Sequence, residues 1–295
     1  MNVLYYPIRE IKNLFEYYLI PFLVVIFPHK IYYSIYKFIC SYTFFYNIYS
    51  KGSYQCGIKL THNSHNEKAW TRNVKLLHLM DISDPWLAWF RPKKAKKILK
   101  KQGEWLNQGG FLALNAHWGT GFLALIDMKN SGFNPFFVFS DTPVAFKHQG
   151  VLEKFYRKFR RKYVNKVSGS VAIAVGGGYQ NIKQKIDNKD VPVILFDAPR
   201  NNKKSQYSLK ILNHHYSIAS GFVNLICREN TPFQLFSVKL DFETGLRELR
   251  IEKGNGINSE QVLLNMLSSY FENLLKQSPE LWFLWRHSET LFVKQ

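Results

Sequence analysis

Residues 109–122, GGFLALNAHWGTGF, decide how the rest of this chain is read. Two glycines lead into the apolar run Phe111–Leu114, which ends on Asn115-Ala116-His117. Trp118-Gly119-Thr120-Gly121 follows, and then a second apolar segment with helical spacing. The pattern predicts a short buried strand that delivers His117 to a glycine-rich turn before a helix, a common way to place a base at the mouth of an α/β site. Gly119 and Gly121 allow close approach of backbone to a ligand, and amides at a helix start can hold an anion or a developing oxyanion. His117 is therefore the candidate catalytic base, with Trp118, Gly119 and Thr120 as candidate substrate-binding residues.

Downstream, the alternation continues. Apolar runs at Phe111–Leu114, Phe136–Phe139, Val171–Val175, Val191–Phe196 and Phe233–Leu240 read as strands. Helix-like segments lie between them at 119–131, 150–166, 178–188 and 217–229, with a last one at 259–277. This is an α/β pattern around a largely buried sheet. Gly176-Gly177-Gly178 joins a strand to a helix, but without Lys-Ser/Thr it is read as a tight turn and not a P-loop.

Upstream, the composition changes. Residues 13–50 are crowded with Tyr, Phe and Ile. The apolar piece Tyr17–Pro28 is shorter than the roughly 20 residues a spanning helix needs. Tyr-rich stretches with occasional Lys suit the headgroup region of a bilayer. The expected division is a membrane-associated helical segment at 1–60 and an α/β domain at 61–295. A short span, an interfacial hairpin and a pair of ordinary buried helices all remain open. No cleavable signal peptide is read in the first residues.

The formal charge is +19, from 40 Lys+Arg against 21 Asp+Glu. Such an excess calls for an anionic partner: nucleic acid, an acidic leaflet or an acidic carrier protein. Much of it falls in clusters at 91–101 and 154–166. In the second, Phe155, Phe159 and Tyr163 recur every four residues, a stripe that suits either a bilayer or the core. No nucleic-acid motif accompanies the clusters, so nucleic acid is not the expected partner. Cys40, Cys56 and Cys227 have no CxxC spacing, which fits a reducing compartment and argues against a zinc site.

The strand ending in His117 resembles the HxxxxD/E block of the glycerolipid acyltransferase superfamily, and most closely the lipid A biosynthesis (lauroyl/myristoyl) acyltransferases. Ile182–Asp197 is similar to that family's helix, turn and strand ending in Asp, and Ser217–Val238 to the helix and strand that follow. Pro279-Glu280-Leu281-Trp282-Phe283-Leu284-Trp285-Arg286-His287 is similar to its Pro-Glu-x-aromatic-x-Trp-x-His-Arg ending. The resemblance implies a central mixed sheet flanked by helices, on the cytoplasmic face of a bacterial inner membrane. It implies transfer of a fatty acyl chain from a thioester, on acyl carrier protein or acyl-CoA, to a hydroxyl of a lipid acceptor. His117 would be the general base, and neither metal nor cofactor is called for.

One departure from that pattern stands at the acid. The position five after His117 is Phe122, which cannot orient an imidazole. Asp141, directly after the second apolar strand, is the candidate replacement, since adjacent parallel strands deliver their carboxyl ends to one edge. Its other reading is a cap for the turn before Pro143. Asp197 ends a strand in FDAPR and matches that family's strand-terminal Asp, so the resemblance implies a place near the site or holding its loop. Arg200 beside it reads either as a phosphate contact or as a solvated loop residue. The resemblance also implies Arg286 at the entrance. His214-His215 reads as loop before a helix. The opposing function is a homologue without catalysis that binds or presents acyl lipid.

Overall fold

The structure is a computed structural model that describes residues 5–42, 44–61, 66–139, 150–168, 172–174, 178–198, 207–254, 257 and 259–293. Asp141, Gly176, Gly177 and Arg200 lie outside the described residues.

The chain begins with helices. α1 (Tyr5–Leu14) runs through a turn of π-helix at Phe15–Leu19 into α2 (Ile20–Ile26), and α3 (His29–Tyr42) turns back. α4 (Asn47–Ser50), α5 (Ser53–Thr61), α6 (Glu67–Phe90) and α7 (Pro92–Ile98) follow. The α/β part holds β1 (Leu99–Gln102), β2 (Leu112–Asn115), α8 (Phe122–Asn130), β3 (Pro135–Phe139), α9 (Val151–Ser168), β4 (Ile173–Ala174), α10 (Tyr179–Asp187) and β5 (Val191–Leu195). Then come the hairpin β6 (Tyr207–Ile211) and β7 (His214–Ile218), α11 (Ser220–Cys227), β8 (Phe233–Leu240), β9 (Arg247–Lys253), α12 (Glu260–Gln277), α13 (Ser288–Leu291) and β10 (Phe292–Val293).

The main sheet has the order β1-β9-β8-β2-β5-β3-β4, and only β8–β9 is antiparallel. β2 lies between β8 and β5, and its residues Leu112–Asn115 are all buried. That explains its uninterrupted apolar run, because a central parallel strand is covered on both faces. The chain is thus mixed α/β with a mainly parallel sheet flanked by helices.

One expectation is corrected here, and one open reading is decided. His214 and His215 stand on β7 and not on a loop, because Leu212 and Asn213 both adopt positive φ (48° and 62°) and close a two-residue hairpin. The α9 aromatic stripe mostly packs inward: Phe159 stacks on Trp86 at 4.9 Å and Tyr163 lies 4.6 Å from Trp89, leaving Phe155 exposed.

The helices before residue 60 share one buried core with the rest. Tyr36 donates to the Ile20 and Pro21 carbonyls at the start of α2 and meets Ser83 of α6. α6 is buried on several sides and carries Pro85 in its interior, so it shows no amphipathic period. No helix among the described residues is long and apolar enough to cross a membrane.

Also on α6, His78 packs edge-on against Phe283 at 4.7 Å. Burial pushes its imidazole down to about 3, with Arg286 and Arg160 adding to the effect and Asp81 opposing it. A histidine depressed in the fold contributes stability that is present above its unfolded value, about 6.5, and is lost as pH falls towards the folded one. The melting temperature should therefore drop below pH 6.5, and His78→Gln should flatten that limb. An unchanged acid limb in the variant would remove His78 as its cause.

Candidate active site

β2 and β5 are parallel neighbours, with Asn115 opposite Leu195. Two residues beyond each strand end stand His117 and Asp197, so the register itself brings them together. The His117 ring nitrogen Nδ1 lies 2.8 Å from Asp197 Oδ1. The backbone N–H of His117 also donates to both carboxylate oxygens, at 2.8 and 2.9 Å. Trp282 donates its indole N–H to Oδ2 at 2.8 Å, and Tyr216 donates its hydroxyl to the Asp197 carbonyl at 2.6 Å. Asp197 is 0% exposed. A buried carboxylate held by that many donors stays in one place.

With Nδ1 facing the carboxylate, the ring carries its proton there and turns the Nε2 lone pair outward. His117 lines a cavity of about 370 Å³. Leu125, Phe137, Phe139, Val164, Val193 and Phe236 supply its apolar wall, and Arg157, Arg160 and Arg161 of α9 its cationic part. Arg160 holds Asp81 through two bonds of 2.6 and 2.9 Å, and Arg157 pairs with Glu153. Arg161 lies over the Phe139 ring at 5.4 Å. The arrangement is a base beside an apolar hollow with guanidinium groups at hand.

The expected residues separate as follows. Trp118 and Gly119 line the cavity. Trp118 is also fixed by donating to the Ser278 carbonyl at 3.0 Å. Gly119 has φ +71°, and a Cβ there would fall 1.8 Å from the Val238 oxygen, so only glycine fits this crossing. Its amide donates to the Leu281 carbonyl, and that of Thr120 to Val238. Those two amides are spent on structure. Thr120 is wholly buried and is not part of the cavity wall. Gly121, the cap of α8, and Phe122, its first residue, both line the cavity. Arg286 is exposed on the turn Trp285–His287 and is not among the residues of the cavity wall.

Phe122, at the position where an acid was expected, is buried and stacks on Tyr163 of α9 at 5.7 Å. The carboxylate beside the ring comes from another strand: Asp197, expected near the site or holding its loop, meets His117 Nδ1 directly. Asp127 is occupied elsewhere, accepting from the Trp105 indole at 2.8 Å. Sequence reading missed Trp282 and Tyr216 as holders of Asp197. It also missed the part played by Phe283, whose amide donates to the His117 carbonyl at 2.8 Å. No group of His, Cys, Asp and Glu among the described residues forms a candidate metal site.

No model of a known protein family matches the chain, and no protein of curated function does so either.

Proposed function

We propose that the protein is a membrane-associated acyltransferase with a glycerolipid-acyltransferase-like fold, moving a fatty acyl chain from a thioester to a hydroxyl of a lipid acceptor. The observation that carries the reading is the His117–Asp197 pair opening onto an apolar cavity. His117 Nε2 takes the proton of the acceptor hydroxyl as that oxygen attacks the thioester carbonyl carbon. Asp197 holds the ring and stabilises the imidazolium. The tetrahedral oxyanion is met by the amides opening α8 and by the α9 arginines. Collapse expels the thiolate, which receives the proton from His117. No covalent acyl-enzyme is needed, and the donor, on acyl carrier protein or coenzyme A, lays its chain along Phe137, Val193 and Phe236.

The test is transfer of a labelled acyl group from carrier thioester to extracted bacterial lipids. The wild type should move label into the lipid fraction and His117→Gln should not. Equal transfer by both overturns the reading in favour of a protein that binds acyl lipid without turnover.

A further inference from the structure

The two faces of β8 and β9 differ in kind. Side chains alternate along each strand, and on one face Phe236, Val238, Leu249 and Ile251 are all buried in an apolar cluster. The other face carries Leu235, Ser237 and Lys239 on β8, opposite Glu252, Arg250 and Glu248 on β9. α12 turns two rows towards it, Met266, Tyr270 and Leu274 in one and Ser269, Asn273 and Gln277 in the next. Together strands and helix wall a second cavity, of about 280 Å³. Strands roofed by a helix are ordinarily apolar on that side. Polar residues kept where packing calls for apolar ones mark a place held for function.

The wall of this cavity is suited to one kind of ligand. Ser237 and Tyr270 are buried, to 3% and 8% exposure. The Tyr270 hydroxyl is shut off from water without a hydrogen-bond partner, although Ser237 is close enough to act on it. Burial raises that phenol above its ordinary value, so it keeps its proton and is a donor. A buried donor left unbonded is costly, and an incoming oxygen would meet it. Lys239, two positions from Ser237 on the same face, is half-buried and enters no salt bridge among the described residues, although its charge reaches Asp241. Arg250 stands opposite Ser237, fixed by Glu248, which accepts from its Nε at 2.9 Å. Lys253 adds a third cation to the wall, and Glu252 is its acid. The exposed Ser269, Asn273 and Gln277 form a rim of hydroxyl and amide groups.

We infer that this cavity binds a small phosphorylated sugar, its phosphate at Lys239, Arg250, Ser237 and Tyr270 and its hydroxyls at the α12 rim. Ammonium, guanidinium and hydroxyl donors together match a phosphate, and amides both donate to and accept from sugar hydroxyls. The volume falls just short of the roughly 300–1,000 Å³ of drug-sized sites, which suits a hexose phosphate and not a dinucleotide. Trp118 stands in the walls of both cavities, so the ligand would rest on the residue next to His117. The site lies outside the proposed reaction and its test involves no turnover, so it stands or falls apart from acyl transfer.

The full chain is titrated calorimetrically at fixed ionic strength with glucose 6-phosphate, inorganic phosphate and glucose. Glucose 6-phosphate should saturate, inorganic phosphate should bind more weakly, and glucose should give no binding. Lys239→Met should weaken both phosphate probes by about tenfold, the loss of one charge-assisted contact. Asn273→Ala should weaken glucose 6-phosphate and leave inorganic phosphate unchanged. Arg161→Gln, which takes a cation from the other cavity, should alter neither. Tyr270→Phe removes a hydroxyl that bonds to nothing in the free protein, so its melting temperature should not fall while its affinity for glucose 6-phosphate drops about tenfold. A hydroxyl that serves only the fold would give the reverse, a lower melt and unchanged affinity, and would overturn the inference. It is also overturned if neither phosphate probe saturates, if Lys239→Met binds both as wild type does, or if inorganic phosphate binds as tightly as glucose 6-phosphate.

Discussion

Asp197→Asn should slow acyl transfer by about 10⁴, as far as any triad loses when its orienting carboxylate becomes an amide. The substitution keeps the shape, so the Trp282 indole and the His117 amide still have an oxygen to meet. What changes is the atom facing His117 Nδ1. An asparagine that turns its oxygen to those two donors offers its NH₂ to the ring, and Nδ1 must then accept instead of donate. The tautomer flips, the proton moves to Nε2, and the base has no lone pair for the acceptor hydroxyl. Binding of a non-hydrolysable acyl thioester should be unchanged, because Asp197 is buried and does not line the cavity. The measurement is the single-turnover rate alongside that affinity. A rate within tenfold of wild type would mean that His117 works without an orienting acid, and the proposed mechanism would lose its second member.

The His117–Asp197 pair was half legible in the sequence, and the missing half has a geometric cause. His117 could be found because a buried strand, a glycine turn and a helix announce themselves along the chain. The acid could not be found by counting from His117, since position 122 is phenylalanine and packs on Tyr163. Neighbouring parallel strands share an edge, and that principle pointed to the carboxylate after β3. The strand beside β2, however, is β5, and β3 lies one place further out. Strand order is set by which crossover passes over which strand, and no local pattern records it. Once β2 and β5 are known to be neighbours, the Asn115–Leu195 register places His117 opposite Asp197 with no further information.

Other elements divide along the same line. α12 and β8 were legible because period and apolar content agree over their whole length. The β6–β7 hairpin was not, because Leu212-Asn213 carries none of the glycine that usually marks a two-residue turn. The buried and exposed sides of α1–α3 were legible as aromatic richness but not as faces. Periodicity shows that a helix has two sides, and only the packing of α6 against one of them says which is left outside.

Asp84→Ala is expected to cost about 3–5 kcal/mol of folding stability, the price of stranding a charge in a dry interior. Asp84 on α6 and Arg247 at the start of β9 are both 0% exposed, and an Arg247 Nη2 hydrogen bond joins them. Arg247 also donates through Nη1 to the Gly245 carbonyl at 2.6 Å, and the Tyr32 hydroxyl of α3 is close enough to act on it. One ion pair therefore ties together the amino-terminal helices, α6 and the antiparallel side of the sheet. Removing the carboxylate leaves the buried guanidinium with one carbonyl and the Tyr32 hydroxyl but no countercharge. Domains are stable by only about 5–15 kcal/mol, so the denaturant midpoint should fall by a large fraction. The double variant Asp84→Leu with Arg247→Met should recover much of the loss, because the cost lies in the unpaired charge and not in the missing attraction. Neither residue lines the cavity, so the fraction that remains folded should turn over as wild type does. A single variant that unfolds at the wild-type midpoint would show that Arg247 finds another partner or reaches water. In that case the pair would not be what joins α6 to the sheet.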